Sequence, residues 1–370
     1  MKKCRLGEIS NVEWGNTSLT KASFVDEGEF LAVSAAGADG RIGHAEHESH
    51  IPVISAIGAN CGRMFLPTEP FTAIKNTMTV TPMDGNDSKF LYYFLSSIKM
   101  PKRGAAQPFL ALKDIRNIQV PRYDIEKQFQ IVSKLDKAFE AIDQAIANTE
   151  KNIENVEELF ENTRHYILSG TKEDWKLLPL RDVCHVERGS SPRPIKKFLT
   201  EDKDGVNWVK IGDTKNVNKY IFHTNQKITK EGAEKSRRVE SGDFILSNSM
   251  SYGKPYIMKT TGYIHDGWFK LKLLEFIDSE YLYHLLSSKN VEEQFHRLAN
   301  GSVVKNISGD LVKKVLLPIP PKEEQLKIIV ELDTLEKHIN ELKSKYSEKL
   351  SYLNNLKTSI LERAFKGELT

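Results

Sequence analysis

A chain of 370 residues, 39% hydrophobic and 28% charged, has room for two or more domains, each with its own core. The net charge is only +3, no apolar run approaches the ~20 residues of a membrane span, and no apolar stretch follows Met1-Lys2-Lys3, so a membrane protein and a secretory signal are both unexpected. Cys4, Cys61 and Cys184 are odd in number and far apart, which is no disulfide framework; reduced thiols and a cytoplasmic location are expected.

Residues 1–122 read as a mixed globule. EFLAVSA (29–35), HIPVISAIG (50–58) and TMTVTP (77–82) are β-rich runs separated by glycine turns, and a short amphipathic helix is predicted over 89–98. Pro121 precedes a run from 125 to 168 without proline or glycine. Its apolar positions, including Leu135, Phe139, Ile142, Ile146, Ile153, Val156 and Phe160, recur in steps of three and four through the intervening Thr149. That spacing keeps one stripe facing a single partner helix, and at ~1.5 Å per residue the helix is roughly 65 Å long. Residues 121–170 hold 6 basic and 10 acidic side chains, so this helix is acidic. A linker is expected at 169–173, around Gly170.

The next globule, 171–317, carries 25 basic against 19 acidic residues. That surplus is compatible with nucleic acid but does not establish it. Its β-rich runs are VNWVKIGD (206–213), GDFILSNS (242–249) and WFKLKLLEF (268–276), with a short helix near 280–289. A second long helix follows in 318–370. Its stripe is expected at Leu332, Leu335, Ile339, Leu342, Tyr346, Leu353, Leu356 and Ile360, with Leu350 filling the gap at Lys349. The frame one residue over would place Glu336 and Lys343 opposite the positions of Phe139 and Ile146, and the apolar frame is preferred.

The chain repeats itself. LGEISNVEWGN (6–16) matches LRDVCHVERGS (180–190), DSKFLYYFLSS (87–97) matches DSEYLYHLLSS (278–288), and VPRYDIEKQFQIVSKLD (120–136) matches LPIPPKEEQLKIIVELD (317–333), with Gln128 over Gln325. The layout is globule (1–122), long helix (123–170), globule (171–317), long helix (318–370), and the class is α+β. Two like helices can pack parallel or antiparallel. An antiparallel pair with a pseudo-two-fold would mimic an isologous dimer within one chain.

No catalytic signature is present: no GxxxxGK[ST] loop, no GxGxxG, no Asn-Pro-Pro-Tyr or Asp-Pro-Pro-Tyr, and no GxSxG elbow. His44, His47 and His50 lack nearby cysteines and read as a polar surface turn, so no metal site is assigned. What remains is loop chemistry suited to phosphate and base-edge contacts. The first globule offers Asp39, Arg41, Asn60, Arg63, Lys75 and Asn76. The second offers Arg188, Ser190, Ser191 and Arg193 in RGSSPRP (188–194), and Asn248, Ser249, Ser251, Tyr252 and Lys254 in SNSMSYGKP (247–255). Such residues are also ordinary turn formers.

The duplicated helix headers, IPPKEEQLKI (319–328), the GSVVKNIS segment (301–308), and WVKIGD, KSRRVESGDFILSNS and IHDGW resemble the specificity subunit of a type I restriction–modification system, over essentially the whole chain. AVSAAGADGRIG with VISAIGANCGR resembles another class of target-recognition domain. The resemblance implies two similar target-recognition domains, each reading one half of a bipartite asymmetric site in double-stranded DNA. It implies two long conserved helices packed as an antiparallel coiled coil that sets the spacer. Lys210 and Asp213 of WVKIGD then join the candidate DNA contacts. It further implies a non-catalytic chain that docks two methyltransferase subunits and, through them, restriction subunits. S-adenosylmethionine, ATP and magnesium would belong to those partners, and the role would be phage defence. Two other classes stay open on residues alone: a coiled-coil scaffold with no DNA role, and a single-chain methyltransferase or nuclease with an unrecognised active site.

Overall fold

The computed structural model describes residues 2–169, 174–215, 217–248, 253–299, 307–366 and 368. The chain forms two compact units, Met1–Lys151 with Tyr346–Thr370, and Asn152–Lys345. Each holds one globule and part of both long helices, Ile125–Leu168 and Lys322–Lys366. The described helices include none long and apolar enough to cross a membrane.

In the first unit, Ser10–Trp14, Thr77–Pro82, Val53–Ser55 and Met64–Phe65 form an antiparallel sheet in that order. Ser10 and Val12 point inward while Asn11 and Glu13 face out, the alternation of a half-buried strand. A second sheet orders Gly37–Ile42, Phe30–Ser34 and Phe71–Ala73, the last pair parallel. Lys3–Arg5 pairs with Gln119–Pro121 just before the long helix. The helix Ser88–Ser97 starts at Asp87, whose carboxylate accepts from Phe90 N at 2.7 Å. Its buried Phe90 and Phe94 meet Phe365 edge-on at 5.5 and 5.4 Å.

The second unit repeats the plan with larger sheets. One orders Cys184–Arg188, Trp268–Leu273, Phe244–Ser247, Pro255–Met258 and Tyr220–Ile221. The other orders Leu199–Thr200, Gln226–Ile228, Val206–Val209, Gly262–Ile264 and Arg237–Val239. Lys176–Pro179 pairs with Leu316–Ile319 ahead of the second long helix. The helix Ser279–Leu286 starts at Asp278 and buries Tyr281, Leu282, Leu285 and Leu286. The thiols of Cys4, Cys61 and Cys184 are buried and unbridged, and burial pushes Cys184 up to about 12.

The two units hold their helices by the same bonds. In the first, Gln128 accepts from Asp87 N at 2.9 Å and donates to Tyr123 O at 3.0 Å and Gly85 O at 3.4 Å. In the second, Gln325 accepts from Asp278 N at 2.8 Å and donates to Pro320 O at 3.0 Å and Phe276 O at 2.9 Å. Both glutamines are buried. About two turns further on, Tyr93 donates to Asp136 at 2.5 Å, and His284 meets Asp333 at 2.9 Å. The duplication visible in the sequence is therefore a duplication of the joint between globule and helix.

Within each unit the two long helices run antiparallel. In the first, Lys357 binds Asp143 at 2.7 Å, while Phe365 lies nearer the helix start through Phe90, which also contacts Tyr123. In the second, Lys343 pairs with Glu157, and Leu168 packs in one cluster with Ile328 and Leu332. On the first helix Leu135, Phe139 and Ile142 are buried, and Ile146, Ile153, Val156 and Phe160 half-buried. On the second, Leu332 and Ile339 are buried, and Leu335, Tyr346, Leu350, Leu353 and Ile360 half-buried.

The expected stripe needs correcting at two positions. Leu342 and Leu356 are 40% and 46% exposed, and their neighbours Lys343 and Lys357 are half-buried instead. The contact surface thus follows the frame in which Glu336 and Lys343 align with Phe139 and Ile146. The reason is that a lysine's methylene stem can cover apolar surface while its ammonium reaches an acid. Lys357 lies 5.1 Å from the Phe139 ring centroid while binding Asp143. Leu342→Glu is therefore expected to shift stability by less than about 0.5 kcal/mol, and Ile339→Glu to cost more than about 3 kcal/mol. Thermal unfolding of the two variants checks this, and equal losses would restore the apolar frame.

The second joint is titratable. Burial outweighs the Asp333 hydrogen bond and holds the His284 imidazole below its ordinary value, with Lys219 opposing and Glu336 favouring protonation. His284 is neutral in the folded chain, whereas an unfolded histidine takes up a proton near pH 6.5. The stabilisation is complete above that pH and is lost as pH falls below it. His284→Tyr installs the residue that the first unit uses at Tyr93. The variant is expected to lose less stability than the parent between pH 7.5 and 5.5; identical losses would remove His284 from the acid response.

Candidate nucleic-acid interface

In the second unit the loop 188–194 follows the strand Cys184–Arg188 and runs against 264–268. Gly189 N donates to Trp268 O at 2.8 Å and Ser190 N to Ile264 O at 3.2 Å. A Cβ on Gly189 would lie 2.1 Å from His265 O, so the close approach requires glycine here. Asp266 ties the loops together. Ser191 Oγ donates to its carboxylate at 2.6 Å, and its backbone oxygen accepts from Arg188 Nε at 3.1 Å and Asn248 Nδ2 at 2.8 Å. The Ser191 hydrogen bond, against a smaller opposing effect of burial, holds the Asp266 carboxyl below the usual carboxylate range.

This network separates the candidate residues by role. Asn248 is 1% exposed and Ser190 Oγ donates to Lys235 O, so with Arg188 and Ser191 they brace the loops. The expectation that Asn248 touches DNA is corrected, because a buried amide already bonded to Asp266 has no free edge to offer. Asp213 likewise accepts from Lys210 N at 2.8 Å and from Asn225 Nδ2 at 2.7 Å, closing its own turn. The exposed members are Lys254, Lys210, Arg188, which also braces the loop, and Arg193, whose guanidinium is 3.6 Å from Asp266 and whose side chain is 82% exposed. Ser249, Ser251 and Tyr252 lie outside the described residues.

Arg193 and Lys210 share a groove of 1030 Å³ with Lys196, Leu199, Trp208 and Gln226. His265 closes one wall, its ring 6.0 Å from Trp208 and its Nδ1 accepting from Gly267 N at 2.8 Å. Burial, more than the neighbouring charges, keeps this imidazole below its ordinary value and so neutral at neutral pH. An apolar floor with a cationic rim can accept a planar group on the floor and an anion at the edge. Asp266 and this floor escaped sequence reading. IHDGW marks the segment, but Leu199, Trp208 and Gln226 come from three strands with no shared motif.

The first unit places its candidates in three turns or edges. Asp39 and Arg41 lie on the edge strand Gly37–Ile42. Burial raises the Asp39 carboxyl, but hydrogen bonds to Lys21 and Ser34 more than offset this and leave it below its ordinary value. Arg41 binds Glu69 at 3.0 Å and Glu29 O at 3.1 Å. Asn60 and Arg63 close the tight turn after Gly58, with Arg63 lying 5.5 Å from the Phe65 ring centroid. Asn76 has a left-handed backbone (φ 72°) between Phe71–Ala73 and Thr77–Pro82, and its oxygen accepts from Ala56 N at 2.8 Å. Lys75 beside it is exposed. Asn60, Arg63 and Asn76 thus sit on adjoining turns, and Asp39 and Arg41 belong to the other sheet. The three histidines do not cluster: His47 packs on Phe71 at 5.1 Å, His44 pairs with Glu46 at 3.5 Å, and His50 meets Ser49 at 3.0 Å.

The family description "Type I restriction modification DNA specificity domain" matches residues 1–157 and 172–352. The chain is 21% identical to the type I restriction enzyme EcoDI specificity subunit of Escherichia coli, over 100% of this chain and 88% of that protein. It is 28% identical over 180 residues to the MjaIX specificity subunit of Methanocaldococcus jannaschii, a match spanning 48% of this chain and 41% of that protein. Its fold is shared with the HsdS subunit of Thermoanaerobacter tengcongensis (TM-score 0.58, 19% identity, covering 100% and 97% of the two chains). It is shared more fully with a chain from structural work on complex assembly and conformational transition of the type I R-M system (TM-score 0.75, 17% identity, covering 100% and 98%). The family description falls on both units and the fold likeness runs the length of the chain: this protein belongs to the type I restriction–modification DNA specificity family.

Proposed function

We propose that this chain is the non-catalytic reader of a type I restriction–modification complex. Each unit reads one half of a bipartite, asymmetric DNA target, and the long helices set the spacer between the halves. The observation that supports this most is the duplicated glutamine joint: two globules with different loops are fastened to like helices by like bonds. Different loops suit different half-sites, and matched joints suit a fixed separation.

The helices also carry the docking function. Phe129 is 54% exposed and Leu326 50% exposed at matching positions of the two helix starts. Two equivalent apolar spots suit two copies of one partner, the methyltransferase subunit, with restriction subunits joining through it. S-adenosylmethionine, ATP and magnesium act on those subunits.

Mapping N6-methyladenine in a host with and without this chain tests the proposal. Methylation at one split, asymmetric motif is expected to vanish with the chain. Unchanged methylation in a host with an active partner methyltransferase would overturn the reading. In the assembled complex, Arg193→Ala and Lys254→Ala are each expected to weaken DNA binding by about 1–3 kcal/mol if they touch bases, or to flatten its salt dependence if they touch phosphates. A salt titration showing neither change in either variant removes this face from the DNA path.

A further inference from the structure

Resting on that reading, we infer that the groove of the second unit reads one A·T pair, through Gln226 on adenine and Leu199 on the thymine methyl. The strand register makes the case. Trp208 lies directly opposite Gln226, and Ile228 opposite both Val206 and Leu199, so these side chains share one face of the sheet. Trp208 is buried and forms the floor, with the buried Ile228 in the same apolar cluster. Gln226 and Leu199 are the exposed members of that face, diagonal to one another and so about 7–8 Å apart.

Their chemistry is complementary to one base pair. A glutamine amide presents a donor and an acceptor side by side, as adenine N7 and N6 do in the major groove. The Gln226 amide has no hydrogen-bond partner among the described residues, so its edge is free. Leu199 is an apolar side chain 37% exposed on the same groove, which a thymine methyl would cover. Arg193, Lys196 and Lys210 line the same groove and supply cations that flanking phosphates can meet. None of Leu199, Lys196 or Gln226 stands in the glycine- and serine-rich loops, so this reading surface is a strand face and not a loop.

The test is methylation mapping with the complete complex carrying Gln226→Ala or Gln226→Asn. Gln226→Ala is expected to relax one A·T position of one half-site, cutting discrimination there about 10- to 100-fold while the other half-site stays unchanged. Gln226→Asn keeps the amide and is expected to retain adenine at that position. Methylation confined to the parental motif in both variants overturns the inference. So does a change in both half-sites, or uniform loss of methylation that Gln226→Asn does not rescue. Absence of any split-site methylation by the parent complex would instead sink the underlying reading of function.

Discussion

Gln325→Ala is expected to lower the stability of the second unit by about 3–5 kcal/mol. Gln325 is fully buried, and its amide satisfies one backbone donor and two backbone acceptors. Truncation removes the partner of Asp278 N, Phe276 O and Pro320 O, of which the Pro320 bond is buried and the other two half-buried, at up to about 1–3 kcal/mol each before relaxation. Asp278 N also opens the short helix Ser279–Leu286, so the helix start and the globule–helix joint fail together. Gln128→Ala is expected to cost somewhat less, because its bond to Gly85 O is longer at 3.4 Å. Gln325→Glu keeps the acceptor but loses both donated bonds and buries a charge, so it should be no better than alanine. Unfolding midpoints order the three variants; a shift under about 1 kcal/mol for Gln325→Ala would show that water replaces the amide, and the joint would lose its importance.

The second large effect concerns spacing. Insertion of one heptad into both long helices, after Lys151 and after Lys345, is expected to abolish methylation at the parental motif and create it at the same half-sites with a new spacer. Seven residues add ~10 Å of helix, roughly three base pairs of DNA. A heptad preserves the three–four spacing, so the packed face is kept. Both insertion points lie where the two units divide the helices, which leaves the glutamine joints untouched. A folded variant that still methylates only the parental spacing would refute the ruler role.

Much of this architecture is legible in the sequence because it rests on periodicity. The run from 125 to 168 without a breaker is one helix, Ile125–Leu168, and the predicted runs at 29–35, 77–82 and 268–276 hold the strands Phe30–Ser34, Thr77–Pro82 and Trp268–Leu273. On the second helix hydropathy misplaces the stripe at Leu342 and Leu356, because it treats lysine as purely polar. Lys343 and Lys357 sit at the contact by pairing with Glu157 and Asp143, residues some two hundred positions away. The match of Gln128 with Gln325 was visible, but not its meaning, since the partners are backbone atoms. The candidate site was less legible still. Serines and arginines of 188–193 look alike in sequence whether they brace a loop or face solvent, and only the position of Asp266 separates the two. Leu199, Trp208 and Gln226 are brought together by strand pairing alone.

The way the units partition the chain bears on its synthesis. Residues 152–345 form one unbroken stretch, whereas the first unit combines 1–151 with the segment from 346 onward. Phe365 packs against both Phe90 and Phe94, so the aromatic cluster of the first globule waits for a residue translated more than two hundred codons after its helix. At ~5–20 residues per second that delay is roughly 13–55 s, most of it spent making the second unit, whose last residue precedes Phe365 by 20 positions. During that interval Phe90, Phe94 and the first half of a long amphipathic helix are uncovered on the nascent chain. The second unit is thus set to close first, and the first to require either chaperone cover or a stand-in for the returning helix.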